Sequence, residues 1–159
     1  PKSDCSFYSG TKALCEKNLL QAFDNVYLFR LRIPFDNLSH PKNYLTKMLS
    51  YEKVLDATNS FSNVRDFVKG CLDLWQARAP FGIYNLTNPG FATTRFVTNL
   101  LTERFGCKFN FWESEYEFYR DAAKAKRSNY VLETRKAAKY IKMRPVQDAL
   151  IDSVNNYKA

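Results

Sequence analysis

Glycine is scarce in this chain, five residues in 159, and none falls in a GxGxxG or Walker pattern. The backbone turn that cradles a dinucleotide or a triphosphate is therefore missing from it. Histidine occurs once, as His40, and the four cysteines Cys5, Cys15, Cys71 and Cys107 show no CxxC spacing. That pattern argues against a zinc or iron–sulfur site, and reduced thiols of a cytoplasmic protein are the simpler reading. No run of about eighteen apolar residues exists, so no membrane partner is expected. The chain opens at Pro1 with neither a methionine nor a basic-then-apolar signal, as expected of a sequence whose upstream part lies elsewhere.

What is present is the composition of an ordinary folded domain, 45% hydrophobic and 16% aromatic, long enough to bury a sizeable core. Twenty-four Lys and Arg against sixteen acids give a net charge of +8, a surplus that favours a phosphate-bearing partner without choosing its class. The basic residues are scattered. Their densest group, Arg120, Lys124, Lys126 and Arg127, directly follows Glu113, Glu115 and Glu117. A continuous nucleic-acid stripe is disfavoured by that neutralisation, and no nucleic-acid partner is expected.

The apolar spacing reads as alternating helices and strands. Phe7, Cys15, Leu19 and Phe23 predict one face of a helix over 6–23, and the β-branched and aromatic run 26–33 predicts a strand stopped by Pro34. A short amphipathic segment over 43–51 and an extended piece at 53–55 follow. Residues 64–76 predict a helix with Val64, Phe67, Val68, Cys71, Leu72 and Trp75 on its buried side. A strand over 82–86, a turn at Asn88-Pro89-Gly90 and a helix capped by Thr93 repeat the unit. A strand at 107–112, a helix near 114–124, and a last helix entered through Pro145, burying Val146, Leu150, Ile151 and Val154, complete an α/β chain.

The first candidate for chemistry is Tyr8-Ser9-Gly10-Thr11-Lys12, which puts a phenol and an ammonium four residues apart on one helical face. A phenol is a poor acid–base group near neutral pH, but a neighbouring ammonium stabilises its phenolate and equips it to exchange a proton with a carbonyl oxygen. Ten tyrosines and fourteen lysines yield about one such pair by chance, so the spacing needs company. A solvated pair on a helix face is the default otherwise.

Company comes from three further stretches: Leu31-Arg32-Ile33-Pro34, Pro41-Lys42-Asn43-Tyr44-Leu45-Thr46-Lys47, and Gly82 through Gly90 with Arg127-Ser128-Asn129 and Leu132 after it. Together with Tyr8–Lys12, they resemble the extended short-chain dehydrogenase/reductases, and within them the C-terminal half of the plant-type nucleotide-rhamnose epimerase/reductases, which are similar to dTDP-4-dehydrorhamnose reductases. The resemblance implies a Rossmann-like α/β fold without its N-terminal dinucleotide-binding half. Residues 1–34 would then supply the catalytic helix and following strand, and residues 35–159 mainly the small substrate-binding domain. It implies an NADPH- or NADH-dependent enzyme that epimerises a UDP- or dTDP-linked 4-keto-6-deoxyglucose at C3 and C5, then reduces C4. The chain would be incompetent without its N-terminal half, and a homodimer is left open.

Carried over by position, Tyr8 gives the proton to O4, Lys12 tunes Tyr8 and binds the nicotinamide ribose, and Lys47 falls where the family places its epimerisation acid. The family's base is a cysteine well upstream, which Cys5 does not match. Ile33 and Pro34 would approach the nicotinamide, although a proline after a strand is commonly only a stop. Asn43 would bind the sugar or phosphates, or else cap a helix. Arg127 would pair with the diphosphate through its planar fork, or else lie in solvent. Tyr116, Phe118 and Tyr119 offer rings for a uracil, or for the core. A plain 4-keto reductase or an epimerase/dehydratase would share Tyr8 and Lys12 without needing Lys47, and a non-catalytic sugar-nucleotide-binding subunit would need neither.

Overall fold

The computed structural model describes residues 7–123 and 128–158. In chain order these form α1 (Phe7–Ala22), β1 (Tyr27–Arg30), β2 (Pro34–Phe35), α2 (Tyr44–Leu49), β3 (Lys53–Val54), β4 (Thr58–Asn59), β5 (Ser62–Asn63) and α3 (Val64–Gln76). They continue through β6 (Gly82–Asn85), β7 (Ala92–Thr93), α4 (Thr94–Phe105), β8 (Asn110–Phe111), α5 (Glu115–Asp121), α6 (Arg135–Ala138) and α7 (Val146–Asn155). Four two-stranded pairings hold the layers: β1 with β6, β2 with β5 and β3 with β8 run parallel, and β4 with β7 runs antiparallel. Parallel partners require crossovers, and the helices supply them.

Local chemistry sets most boundaries. Asn63 accepts from the backbone of Arg65 and Asp66 to start α3, and Thr93 accepts from Phe96 N to start α4, as its position predicted. Gly106 ends α4 at φ 71, a left-handed conformation that costs glycine little. The strand expected over 26–33 stops at Arg30. Ile33 takes φ 39 and the Arg32 amide donates to Ser62 Oγ at 3.1 Å, which turns the chain out of the ladder.

Two apolar clusters form the interior. Phe35, Leu45, Phe61, Val97, Leu101, Val146, Leu150 and Val154 belong to the larger, and Leu74, Ala79, Tyr84, Leu86 and Ala137 make up the smaller. The expected buried side of α3 is wrong in part. Phe67 and Cys71 pack on the smaller cluster beside Leu74, but Val64, Val68, Leu72 and Trp75 are exposed. Gly70 marks the packed face, because a side chain there would sit 3.4 Å from Ile141 Cδ1 and 3.5 Å from Met143 Sδ. The apolar residues of α3 thus span two faces, and this chain covers one. Helix α1 forms as expected, and none of its residues is buried. Ile151 on α7 is likewise exposed, while Val146, Leu150 and Val154 are in the core as expected.

Candidate active site

A cleft of about 680 Å³ opens between the β1–β2 turn, α2, the β3–β4 segment, β8 and α5, a size suited to a metabolite. Arg32, Ile33 and Pro34 line one wall, Lys42, Tyr44, Lys47 and Met48 another, and Trp112, Phe118 and Tyr119 a third. Of the residues expected to carry chemistry, Lys47, Ile33 and Pro34 therefore meet in one place although separated in sequence.

Each wall has a local cause. Asn43 caps α2: its side-chain oxygen accepts from Leu45 N at 3.0 Å, and its amide nitrogen donates to the carbonyls of Asp36 (2.8 Å) and Leu38 (2.7 Å). Asn43 is only 7% exposed and does not line the cleft. The expectation that it touches substrate gives way to the capping alternative, because its carboxamide is committed to backbone. The cap aims α2 so that Leu45 and Met48 go into the core, while the exposed Lys47 faces the cleft one turn from the N-cap.

Ile33 is the strained point. A β-branched residue with positive φ, directly before a proline, occupies backbone space that such residues rarely adopt. Its side chain packs against the larger core cluster, and its carbonyl accepts from Ser62 N at 3.4 Å. Strain held by this much surrounding structure is a common companion of function.

Tyr8 and Lys12 share a face of α1, with the Lys12 ammonium 5.5 Å from the centre of the Tyr8 ring. Neither lines the cleft, and Tyr8 is 70% exposed. Glu16, on the same helix, accepts from Arg30 Nε at 2.8 Å. Arg30 is the last residue of β1, so α1 is tied to the strand end that leads into Arg32–Pro34. Tyr8 stands two helical turns N-terminal to that tie, about 12 Å of helix.

Sequence reasoning missed several wall residues. Tyr44 packs on Phe61 with ring centres 5.2 Å apart, and burial pushes its phenol above the ordinary range, so it stays protonated and serves as a neutral group. The Lys53 ammonium lies 3.7 Å over the Trp112 ring and 3.2 Å from Glu117. Of the three rings considered for a base, Phe118 and Tyr119 line the cleft, and Tyr116 is 75% exposed away from it. His40 is an exposed turn residue whose Nδ1 accepts from Lys42 N at 3.1 Å. Arg127 and Cys5 lie outside the described residues. Among the described residues no group of metal-ligating side chains occurs, and no helix is long and apolar enough to cross a membrane.

Comparison with known proteins agrees with this architecture. No family model matches the chain. It is 31% identical over 156 residues, 97% of its length, to the bifunctional dTDP-4-dehydrorhamnose 3,5-epimerase/dTDP-4-dehydrorhamnose reductase of Arabidopsis thaliana, of which it covers 51%. Among solved structures it superposes with a TM-score of 0.82 on the UDP-rhamnose synthase of Acanthamoeba polyphaga mimivirus, at 22% identity, covering 98% of this chain and 55% of that one. A dTDP-4-dehydrorhamnose reductase from Bacillus anthracis, solved with NADP, gives 0.72 at 17% identity, covering 90% and 53%. The chain spans about half the length of each of these proteins, matching their C-terminal part.

Proposed function

From the premise that this chain has the fold of the extended short-chain dehydrogenase/reductases and resembles the C-terminal half of the nucleotide-rhamnose epimerase/reductases, we propose that it handles substrate in a nucleotide-sugar 3,5-epimerase/4-keto-reductase. The substrate is a UDP- or dTDP-linked 4-keto-6-deoxyglucose, and the enzyme is cytoplasmic. Residues 1–34 carry the proton-transfer helix and its strand, and residues 35–159 mainly the substrate-binding part. The observation that carries this reading is one of connection. The helix bearing Tyr8 and Lys12 is tied through Glu16 to the end of β1, and the turn leaving β1 lines the same cleft as Lys47.

The chemistry follows from the ketone. The C4 carbonyl acidifies the C–H bonds at C3 and C5, so a base can remove each proton and an acid on the opposite face can return one. Lys47 is that acid, held at the cleft by the Asn43 cap. Tyr8 then gives its proton to O4, and Lys12 stabilises the phenolate left behind. In this reading Tyr8 and Lys12, whose ammonium lies 5.5 Å from the centre of the Tyr8 ring, and the Ile33–Pro34 turn would meet the nicotinamide end of NADPH or NADH. When bound, the cofactor supplies the hydride that reduces C4.

The phosphate-cradling turn and the epimerisation base are assigned to an N-terminal half outside these 159 residues. Its natural seat is the pair of uncovered apolar faces, on α1 with Phe7 and Leu14 and on α3 with Val68, Leu72 and Trp75. The test joins this chain to such a half and supplies the 4-keto sugar nucleotide with NADPH. Tyr8→Phe should fold normally and lose C4 reduction by at least about a hundredfold. Near-normal turnover would instead favour a sugar-nucleotide-binding subunit without catalysis.

A further inference from the structure

We propose that Arg32 is a phosphate-binding residue of the cleft, holding the diphosphate of the nucleotide-linked substrate. This rests on the nucleotide-sugar reading above and adds a residue to it.

The cleft lining contains four cations, Arg32, Lys42, Lys47 and Lys53, and among its described residues no Asp or Glu. Lys53 already has an acid partner in Glu117. Lys42, Lys47 and Arg32 take part in none of the described ion pairs. The cleft lining thus carries positive charge without an acidic residue of its own.

Arg32 differs from the two lysines because it is fixed. Its Nε and Nη2 donate to Asn59 Oδ1 at 3.1 and 2.5 Å, Nη2 also donates to the Ser128 carbonyl, and the guanidinium lies 3.8 Å over the Tyr130 ring. Asn59 is itself held, donating to Asn129 Oδ1 at 3.2 Å and accepting from Tyr130 N at 3.2 Å. Every one of these acceptors is neutral. Six other arginines, Arg30, Arg65, Arg95, Arg120, Arg135 and Arg144, are each paired with a carboxylate.

A half-buried guanidinium whose hydrogen-bond partners are all neutral carries, for stability alone, a desolvation cost without an ionic return. The arrangement is well suited to an anion. The planar fork is oriented in advance, Nη1 is used by none of the described bonds, and a guanidinium matches phosphate oxygens in pairs. Arg32 and Lys42, two cations in none of the described ion pairs, lie in one cleft with the rings of Trp112, Phe118 and Tyr119 and match a diphosphate carried next to a base.

The test is calorimetric titration of the 159-residue chain at low salt with UDP, dTDP, uridine and NADPH. UDP should bind, and uridine at least about tenfold more weakly. Arg32→Gln and Arg32→Lys should each weaken UDP by at least about tenfold while leaving uridine unchanged. Arg32→Lys matters because it keeps the charge and loses only the fork. Asn59→Ala, which keeps the guanidinium and frees it, should fall between wild type and these variants, and it serves if an Arg32 variant does not fold. UDP binding that is equal in wild type, both Arg32 variants and Asn59→Ala overturns the inference and leaves the nucleotide-sugar reading standing. So does a loss confined to NADPH, which would assign Arg32 to the cofactor. Absence of any UDP or dTDP binding to the wild type overturns both.

Discussion

Helix α1 and the cleft carry their candidate residues in opposite ways. On α1 the geometry is local. Tyr8 and Lys12 meet because residues four apart share a helical face, with no buried residue anywhere on the helix to hold it against the rest. In the cleft the geometry is global. Lys47, Ile33 and Arg32 are brought together by a buried cap, a strained turn and a network that reaches residue 130. A candidate pair legible as a spacing can thus sit on a weakly attached element, whereas a cleft built by packing leaves almost no trace in the sequence.

Core truncations should sharpen this contrast most. Phe35→Ala, at a fully buried position under the cleft, should cost about 3–5 kcal/mol. Leu14→Ser on α1, 56% exposed, should change stability by less than about 0.5 kcal/mol in the chain by itself. Urea unfolding measures both, and equal costs would break the comparison.

A smaller effect is expected at the cap. Asn43→Ala leaves the Leu45 amide without its partner and two backbone carbonyls without a donor, for roughly 1–2 kcal/mol. Because that cap aims α2, the variant should also displace Lys47 and weaken anion binding. Wild-type stability with wild-type binding would show that Asn43 does not hold the wall.

Smallest is the pH response of α1. The hydrogen bonds from Arg30 hold the Glu16 carboxyl below its ordinary range. A lowered value in the folded state means the contribution is complete above the ordinary carboxylate range, and is lost as pH falls through the folded value. With both groups partly solvated, this amounts to a few tenths of a kcal/mol. Amide signals of α1 in NMR should shift away from their neutral-pH positions on acidification, and Glu16→Gln should abolish the acid-dependent part. A pH response surviving in Glu16→Gln would place the tie elsewhere.

How much of this the sequence disclosed follows from the same contrast. Helices α3, α4 and α7 were legible from apolar spacing and from caps such as Thr93, because those signals act within a turn or two. The strand over 26–33 was overextended, since nothing in the residues announces that Ser62 and a positive φ at Ile33 end it at Arg30. The two faces of α3 were merged into one, because hydrophobicity marks burial without naming the partner. Tyr8 and Lys12, which do not line the cleft, were legible as a pair. Lys47 came only through resemblance, and Arg32, Tyr44 and Trp112 were given no role, because contacts such as Arg32 on Tyr130 and Lys53 on Trp112 join residues far apart in the chain.

The measurement that bears most directly on the account is the fate of solvent deuterium with Lys47→Met in the joined enzyme. After a base removes the C3 or C5 proton, the enolate must be reprotonated from the opposite face, and the account gives that task to Lys47. The variant should stop incorporating deuterium at C3 and C5, while a ketone supplied already epimerised is still reduced through Tyr8. Undiminished deuterium incorporation would contradict the assignment and make this chain part of a plain 4-keto reductase.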